Sequence, residues 1–320
     1  MKNKNGVMSV NAIIEKITEQ IQEGIYPGAS LALYRDGQWS EHYLGLADPE
    51  KGEPVVADLV YDLASVSKVV GVATICAFLY AKGELALDRP FKELYPRFAH
   101  EKTTIRELLT HTSGLDPFIP NRDQLDARQL KTALENLQLK EDKSFHYTDV
   151  NFLLLGFWLE DRFHQPLDRL FEELIFTPWK MTETRFGPVE KAVPTVRGVA
   201  SGSVHDPKAR VLGRHAGSAG LFSTVADLER FLEHYLKDDF ARDLSQNFAR
   251  EEGKTRALGW NLEGDWLDHT GYTGTFIMYN RKRQEAVIFL SNRTYEKDER
   301  AQWILDRNSL MDLIKQECEK

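Results

Sequence analysis

The residues able to attack a carbonyl or move a proton are Ser65 and Lys68, spaced three apart at the mouth of the apolar run Val69 to Ala81. That spacing puts both side chains on one helix face, one turn apart. The run is apolar on nearly every side and closes at Lys82-Gly83, so it predicts a helix buried all round. It is shorter than the roughly 20 residues needed to cross a bilayer. A serine at its entrance is held rigidly beside the positive end of the helix dipole. If desolvated, Lys68 loses proton affinity and can take the serine's proton, which would make Ser65 a nucleophile. Taken alone, the pattern reads more readily as an N-cap serine followed by a solvated lysine.

Two later stretches have the same ambiguity. Tyr147-Thr148-Asp149 precedes the apolar stretch Val150 to Phe163, again at a helix entrance. A phenol is a poor base at its ordinary pKa, but an adjacent ammonium stabilises the phenolate, so Tyr147 beside Lys68 would share the serine's proton. Asp149 would orient Lys68 and hold its charge, or simply cap the helix. His269-Thr270-Gly271-Tyr272 ends a strand-like segment. A glycine there lets a substrate backbone approach closely, and the Tyr272 N–H, with that of Ser65, could bind a developing oxyanion. The alternative is a turn whose glycines serve the backbone.

Other candidates are weaker. His111 follows Thr103 to Leu109 and reads as serving a helix end. Ala216-Gly217-Ser218-Ala219-Gly220 lacks the first glycine of a Gly-x-Ser-x-Gly elbow, so Ser218 reads as loop. His205, His215 and His269 are isolated, with no metal-binding spacing, so neither metal nor cofactor is expected.

These residues must be positioned by a chain of 320 residues, 42% hydrophobic and 28% charged, the profile of a globular protein with a real core. A net charge of -8 and a pI near 5.7 argue against nucleic acid and anionic membrane surfaces as partners. Cys76 and Cys318 read as free thiols, and no apolar signal segment opens the chain, which makes a cytoplasmic location the expectation.

Asn11 to Glu23 carries isoleucines at helical spacing. Asp36-Gly37 between two strand-like runs, Ala29 to Tyr34 and Trp39 to Ala47, predicts a hairpin. Thr104 and Glu107 form a capping box, and Thr224 caps a further helix. Arg128 to Leu137, Val150 to Phe163 and Leu167 to Phe176 predict a helical middle. Ala257 to Leu262, Trp266 to Gly271, Phe276 to Asn280 and Glu285 to Asn292 predict strands, and Arg300 to Gln316 a closing helix. Both chain ends therefore join in one antiparallel sheet. The expected division is a discontinuous sheet domain, 1–80 with 200–320, and a helical lobe, 81–199, with the site in the cleft between them.

Ser65 to Lys68, Tyr147 to Asp149 and His269 to Gly271 occur in the order of the Ser-x-x-Lys, Tyr-x-Asn and Lys/His-Thr-Gly motifs. Together with Leu108 to Leu115 and Ala219 to Thr224, they give a chain that resembles the serine β-lactamase and penicillin-binding-protein superfamily, on its class C, esterase-like side. The resemblance spans about residues 10 to 315. It implies an α/β (α+β) fold of the β-lactamase/transpeptidase type, with Ser65 acylated, Lys68 and Tyr147 handling its proton, and Ser65 and Tyr272 supplying the oxyanion N–H groups. It also places Asp149, His269, Thr270, Gly271 and Tyr272 around the substrate. Asp149 stands where the family carries asparagine, and His269 where penicillin-recognising members carry lysine. Both departures point to an esterase or amidase on small ester, amide or peptide-like substrates. The alternatives are a D,D-carboxypeptidase or β-lactamase and, from another class, a non-catalytic binder with the same fold. The loops Pro117 to Arg122 and Gly198 to Arg214 would set the substrate.

Overall fold

Asp36 and Gly37 both adopt positive φ, 52° and 81°, the geometry of a two-residue turn whose twist matches its flanking strands. It joins β1 (Gly28–Arg35) to β2 (Gln38–Asp48), with Arg35 opposite Gln38. This computed structural model describes residues 10–250 and 254–319. The remaining strands are β3 (Glu53–Pro54), β4 (Tyr61–Asp62), β5 (Arg185–Phe186), β6 (Leu221–Ser223) and β7 (Asn261–Glu263). The last three are β8 (Trp266–Thr270), β9 (Phe276–Asn280) and β10 (Glu285–Ser291).

Seven of these form one sheet in the order β3-β2-β1-β10-β9-β8-β7, so the two ends of the chain meet at the β1–β10 pair. Its central strands β1, β10, β9 and β8 are buried on both faces, and their side chains sort by the two-residue period of a strand. Ala29, Leu31 and Leu33 pack with Val287, Phe289, Phe276 and Met278 beneath the helices Val10–Gln22 and Arg300–Cys318. Ala32, Ile288, Ile277 and Tyr279 face the other way, into the main core. That core continues without a break through the helical middle, where Val150–Phe163 buries every residue from Val150 to Leu159.

Three expectations change in detail. Val69–Ala73 and Glu172–Phe176 are wide π turns, the first leading into the helix Thr74–Ala81. The strand expected over Ala257 to Leu262 starts only at Asn261. Gly259 takes φ 84° and donates its N–H to Leu109 O (3.1 Å), which turns the chain before it can pair. A second, three-stranded sheet, β4-β6-β5, had no expectation, and its central strand docks directly on the segment leading into Ser65.

Candidate active site

Ser65 lies in a 3-10 turn, Ala64–Val66, just after β4. Ala64 takes φ 46°, a left-handed conformation that costs energy for any residue with a Cβ. It persists because its surroundings are tied down. Asp62 Oδ1 accepts the Ala64 N–H (2.8 Å), and Leu63 N–H donates to Leu221 O (2.9 Å). The carbonyls of Asp62 and Leu63 accept the hydroxyls of Thr273 (2.8 Å) and Thr275 (3.0 Å). Burial pushes the Asp62 carboxyl up to about 6, although the N–H groups of His205 and Ala64 pull against it.

Lys68 is completely buried, and each of its three ammonium N–H groups has an acceptor. They donate to Ser65 Oγ (2.8 Å), Asp149 Oδ1 (2.7 Å) and the Ser218 carbonyl (2.9 Å). This corrects the expectation that desolvation would make Lys68 a free base. Burial does pull its pKa down, but the Asp149 carboxylate and Tyr147 outweigh that, and the net shift is upward. Lys68 is therefore an ammonium that donates to the serine rather than accepting from it.

The Ser218 carbonyl reaches Lys68 because its loop lies against the helix Val150–Phe163. A Cβ on Gly217 would sit 2.3 Å from Phe152 O, so only glycine allows that approach. Asp149, at the helix entrance, shares its second oxygen with Lys208 Nζ (3.1 Å). Burial raises its carboxyl, yet Lys68 and Lys208 together hold it well below the usual range.

Tyr147 is 38% exposed, the most open of the candidate residues, with Lys68 Nζ 5.2 Å from its ring centroid. His111 packs against the same ring at 4.6 Å and also ends its helix with φ 58°. Its Nδ1 accepts from Thr148 N–H (3.4 Å) and Asn151 Nδ2 (3.1 Å). Burial, then Arg256, Lys68 and His269, push His111 well below the usual histidine range, so it stays neutral.

His269 sits across the cleft, 6.1 Å from the Tyr147 ring between centroids. The Thr270 carbonyl, 3.1 Å from Nδ1, can only accept, which assigns the proton to Nδ1. Burial, then Lys68 and Arg256, hold it well below the usual range. His269 is thus neutral, at the position where penicillin-recognising members carry lysine. Gly271 serves the backbone, one of the two roles its sequence left open. A Cβ there would lie 2.6 Å from Leu63 O, so the missing side chain admits the nucleophile turn itself. Tyr272 follows, its hydroxyl on Asp298 and its ring against the guanidinium groups of Arg293 (4.6 Å) and Arg300 (5.5 Å).

The structure brings Ser65, Tyr147, His269, Thr270, Gly271 and Tyr272 together around a cleft of about 220 Å³, with Lys68 and Asp149 behind it. Four cations that carried no expectation line it as well: Lys254, Arg293, Arg300 and Arg307. Arg300 and Arg307 look in sequence like the solvated face of the closing helix. The only sequence signal for Lys208 is its place in the loop suspected of setting the substrate. Among the described residues no group of His, Cys, Asp and Glu could hold a metal ion. Both cysteines are buried, and no disulfide joins them.

This is the fold and site of a serine hydrolase of the β-lactamase class. The Beta-lactamase family model matches residues 13–310, and the chain belongs to that family. An Escherichia coli K12 protein named "Putative D-alanyl-D-alanine carboxypeptidase" is 28% identical, covering 90% of this chain and 83% of its own. A β-lactamase/D-alanine carboxypeptidase from Pseudomonas syringae superimposes with a TM-score of 0.77 at 20% identity, over 96% of this chain and 98% of that one. EstCE1, a hydrolase with promiscuous acyltransferase activity, gives a TM-score of 0.76 at 19% identity, over 95% and 98%.

Proposed function

We propose that this enzyme hydrolyses small esters or amides that carry an anionic group, through an acyl-enzyme on Ser65. The observation that carries the reading is the fully bonded Lys68 ammonium, 2.8 Å from Ser65 Oγ, beneath a cleft lined by Lys254, Arg293, Arg300 and Arg307. Because Lys68 donates to Ser65 Oγ, the serine's own O–H is left to another acceptor. Tyr147, open to the same cleft, is that acceptor in its phenolate form, whose charge the neighbouring ammonium stabilises.

Ser65 Oγ attacks the acyl carbon as its proton passes to Tyr147. The developing oxyanion is bound by the N–H groups of Ser65 and Tyr272. Tyr147 then returns the proton to the leaving oxygen or nitrogen as the C–O or C–N bond breaks. Water attacks the acyl-enzyme, gives its proton to Tyr147, and Ser65 regains a proton as the acid leaves.

A D-alanyl-D-alanine carboxypeptidase is the second reading. It is favoured by the same cationic lining, which suits a peptide carboxylate, and by the names of the relatives. Intact-protein mass after exposure to an activated short-chain ester, a fluorophosphonate and a β-lactam tests the common step. One adduct per chain is expected, absent in Ser65→Ala. An adduct that persists in Ser65→Ala, or none with any reagent in folded protein, would overturn the nucleophile assignment. Release of D-alanine from a peptide ending in D-Ala-D-Ala, against turnover of anionic esters, separates the two substrate readings.

A further inference from the structure

Asp149 is an unusual partner for a catalytic lysine because it is itself shared. Lys68 Nζ takes one carboxylate oxygen at 2.7 Å and Lys208 Nζ takes the other at 3.1 Å. An asparagine could accept from only one of these ammonium groups and would turn its NH₂ toward the other. The second lysine is not a loose surface group. Its side chain is 14% exposed, and its segment is anchored on both sides. The His205 N–H donates to Asp62 Oδ2 (2.7 Å), the same carboxylate that holds Ala64 next to the nucleophile. Asp206 caps the helix Pro207–Leu212 by accepting the Ala209 N–H (2.8 Å), and its other oxygen lies 3.7 Å from Lys208.

We propose that Lys208 is a positioning residue of the reaction: it balances the negative charge that Asp149 brings to Lys68 and Tyr147, and so keeps the tyrosine competent as a base. This rests on the reading of Ser65 as nucleophile and Tyr147 as proton acceptor. The charged groups around Tyr147 come from several elements. Lys68 lies on the nucleophile segment, Asp149 at the following helix entrance, Lys208 and Asp206 on the 205–208 segment, and Arg256 before β7, close enough to feel Tyr147. His111 and His269 pack on the ring without charge.

Without Lys208 the balance loses one positive charge. Negative charge on the phenol is then harder to form, and the pair Lys68–Tyr147 releases its proton at higher pH. Without the Asp149 charge the change runs in the opposite direction. Removing both restores the net charge.

The test is the second-order rate of Ser65 labelling by a neutral activated ester against pH, in wild type, Lys208→Met, Lys208→Arg, Asp149→Asn and the double variant Asp149→Asn/Lys208→Met. Thermal melts confirm that each is folded. Lys208→Met should move the rising limb about one pH unit to the alkaline side, slowing labelling about tenfold below the limb. Lys208→Arg should keep the wild-type limb, and Asp149→Asn should move it to the acid side. The double variant should bring it back toward wild type. A limb unmoved in Lys208→Met, or moved as far in Lys208→Arg, overturns the inference and leaves the nucleophile reading standing. Wild-type labelling that survives Ser65→Ala sinks both.

Discussion

On the wall of the cleft that carries Ser65, every donor of Lys68 has an acceptor between 2.7 and 2.9 Å, and no part of the side chain meets solvent. The facing wall, built from the end of β8 and the helix Arg300–Cys318, is arranged otherwise. Among the described residues Arg307 donates to Thr270 Oγ1 (3.2 Å) and Asn308 Oδ1 and forms no salt bridge with a carboxylate. Arg293 bonds Asp298 and Tyr272 O but keeps Nη2 buried and without a hydrogen-bond partner among the described residues. A buried donor with no acceptor costs about 1–3 kcal/mol, a debt that an anionic ligand would remove. The first wall is finished before substrate arrives, as a proton-transfer site should be. The second has unspent donors, as a recognition surface should.

The largest effect should come from breaking the finished wall. Lys68→Met removes the ammonium that lies against Ser65 Oγ and the Tyr147 ring and leaves Asp149 with Lys208 alone. Ser65 acylation should fall about 10³-fold, the scale on which preorganised charge acts in catalysis. A rate within tenfold of wild type, in protein whose melt shows it folded, would show that the finished wall is structural only.

The same wall contains the next effect, in stability. Asp62 has its carboxyl raised from 3.8 to about 6, burial being the main cause. A raised acid binds more protons in the folded state than in the unfolded one. Its contribution is therefore fully present below pH 3.8 and is lost as pH rises through about 6. The full displacement is worth about 3 kcal/mol. Asp62→Asn cannot titrate, so the stability of wild type relative to this variant should fall by up to that amount between pH 3.5 and 7. Chemical denaturation at several pH values measures it, and a flat difference would show that folding does not raise the Asp62 carboxyl.

The two walls also differ in how far they could be read from the chain. Ser65, Lys68, Tyr147 and Asp149 were legible because helix entrances announce themselves. The three-residue spacing and the apolar runs that follow are local properties. The sheet was legible for the same reason, through Asp36-Gly37 and the strand-like runs on either side of it. What escaped depends on distance in sequence. β4, β5 and β6 have two or three residues each, too few to show any period, yet they set the nucleophile turn. The Ser218 contribution is a carbonyl, which every residue has. Asp149 is legible as the group that holds the Lys68 charge, but the third acceptor, 150 residues away, is not, and without it the strength of that hold on the ammonium does not show. Arg300 and Arg307 carry no local sign that their helix face looks into a cleft.

The recognition wall should give the smallest effect, and the most selective one. Arg307 is the cation on it whose guanidinium touches the His-Thr-Gly strand, through Thr270 Oγ1. Burial lowers its proton affinity, yet an arginine remains charged at neutral pH, so its positive end is available to a substrate carboxylate. Arg307→Met keeps much of the stem and removes the charge. The ratio of kcat/KM for a carboxylate-bearing ester to that for its neutral methyl-ester counterpart should fall about tenfold, in keeping with the roughly 1.5–3 kcal/mol of a hydrogen bond to a charged group, shared here with Arg300 and Lys254. The loss should appear in KM for the anionic ester, because binding a remote carboxylate serves ground state and transition state alike. An equal loss for both esters would instead show that Arg307 acts through Thr270 on the position of the strand. The contrast between a wall for chemistry and a wall for recognition would then give way to a single rigid frame.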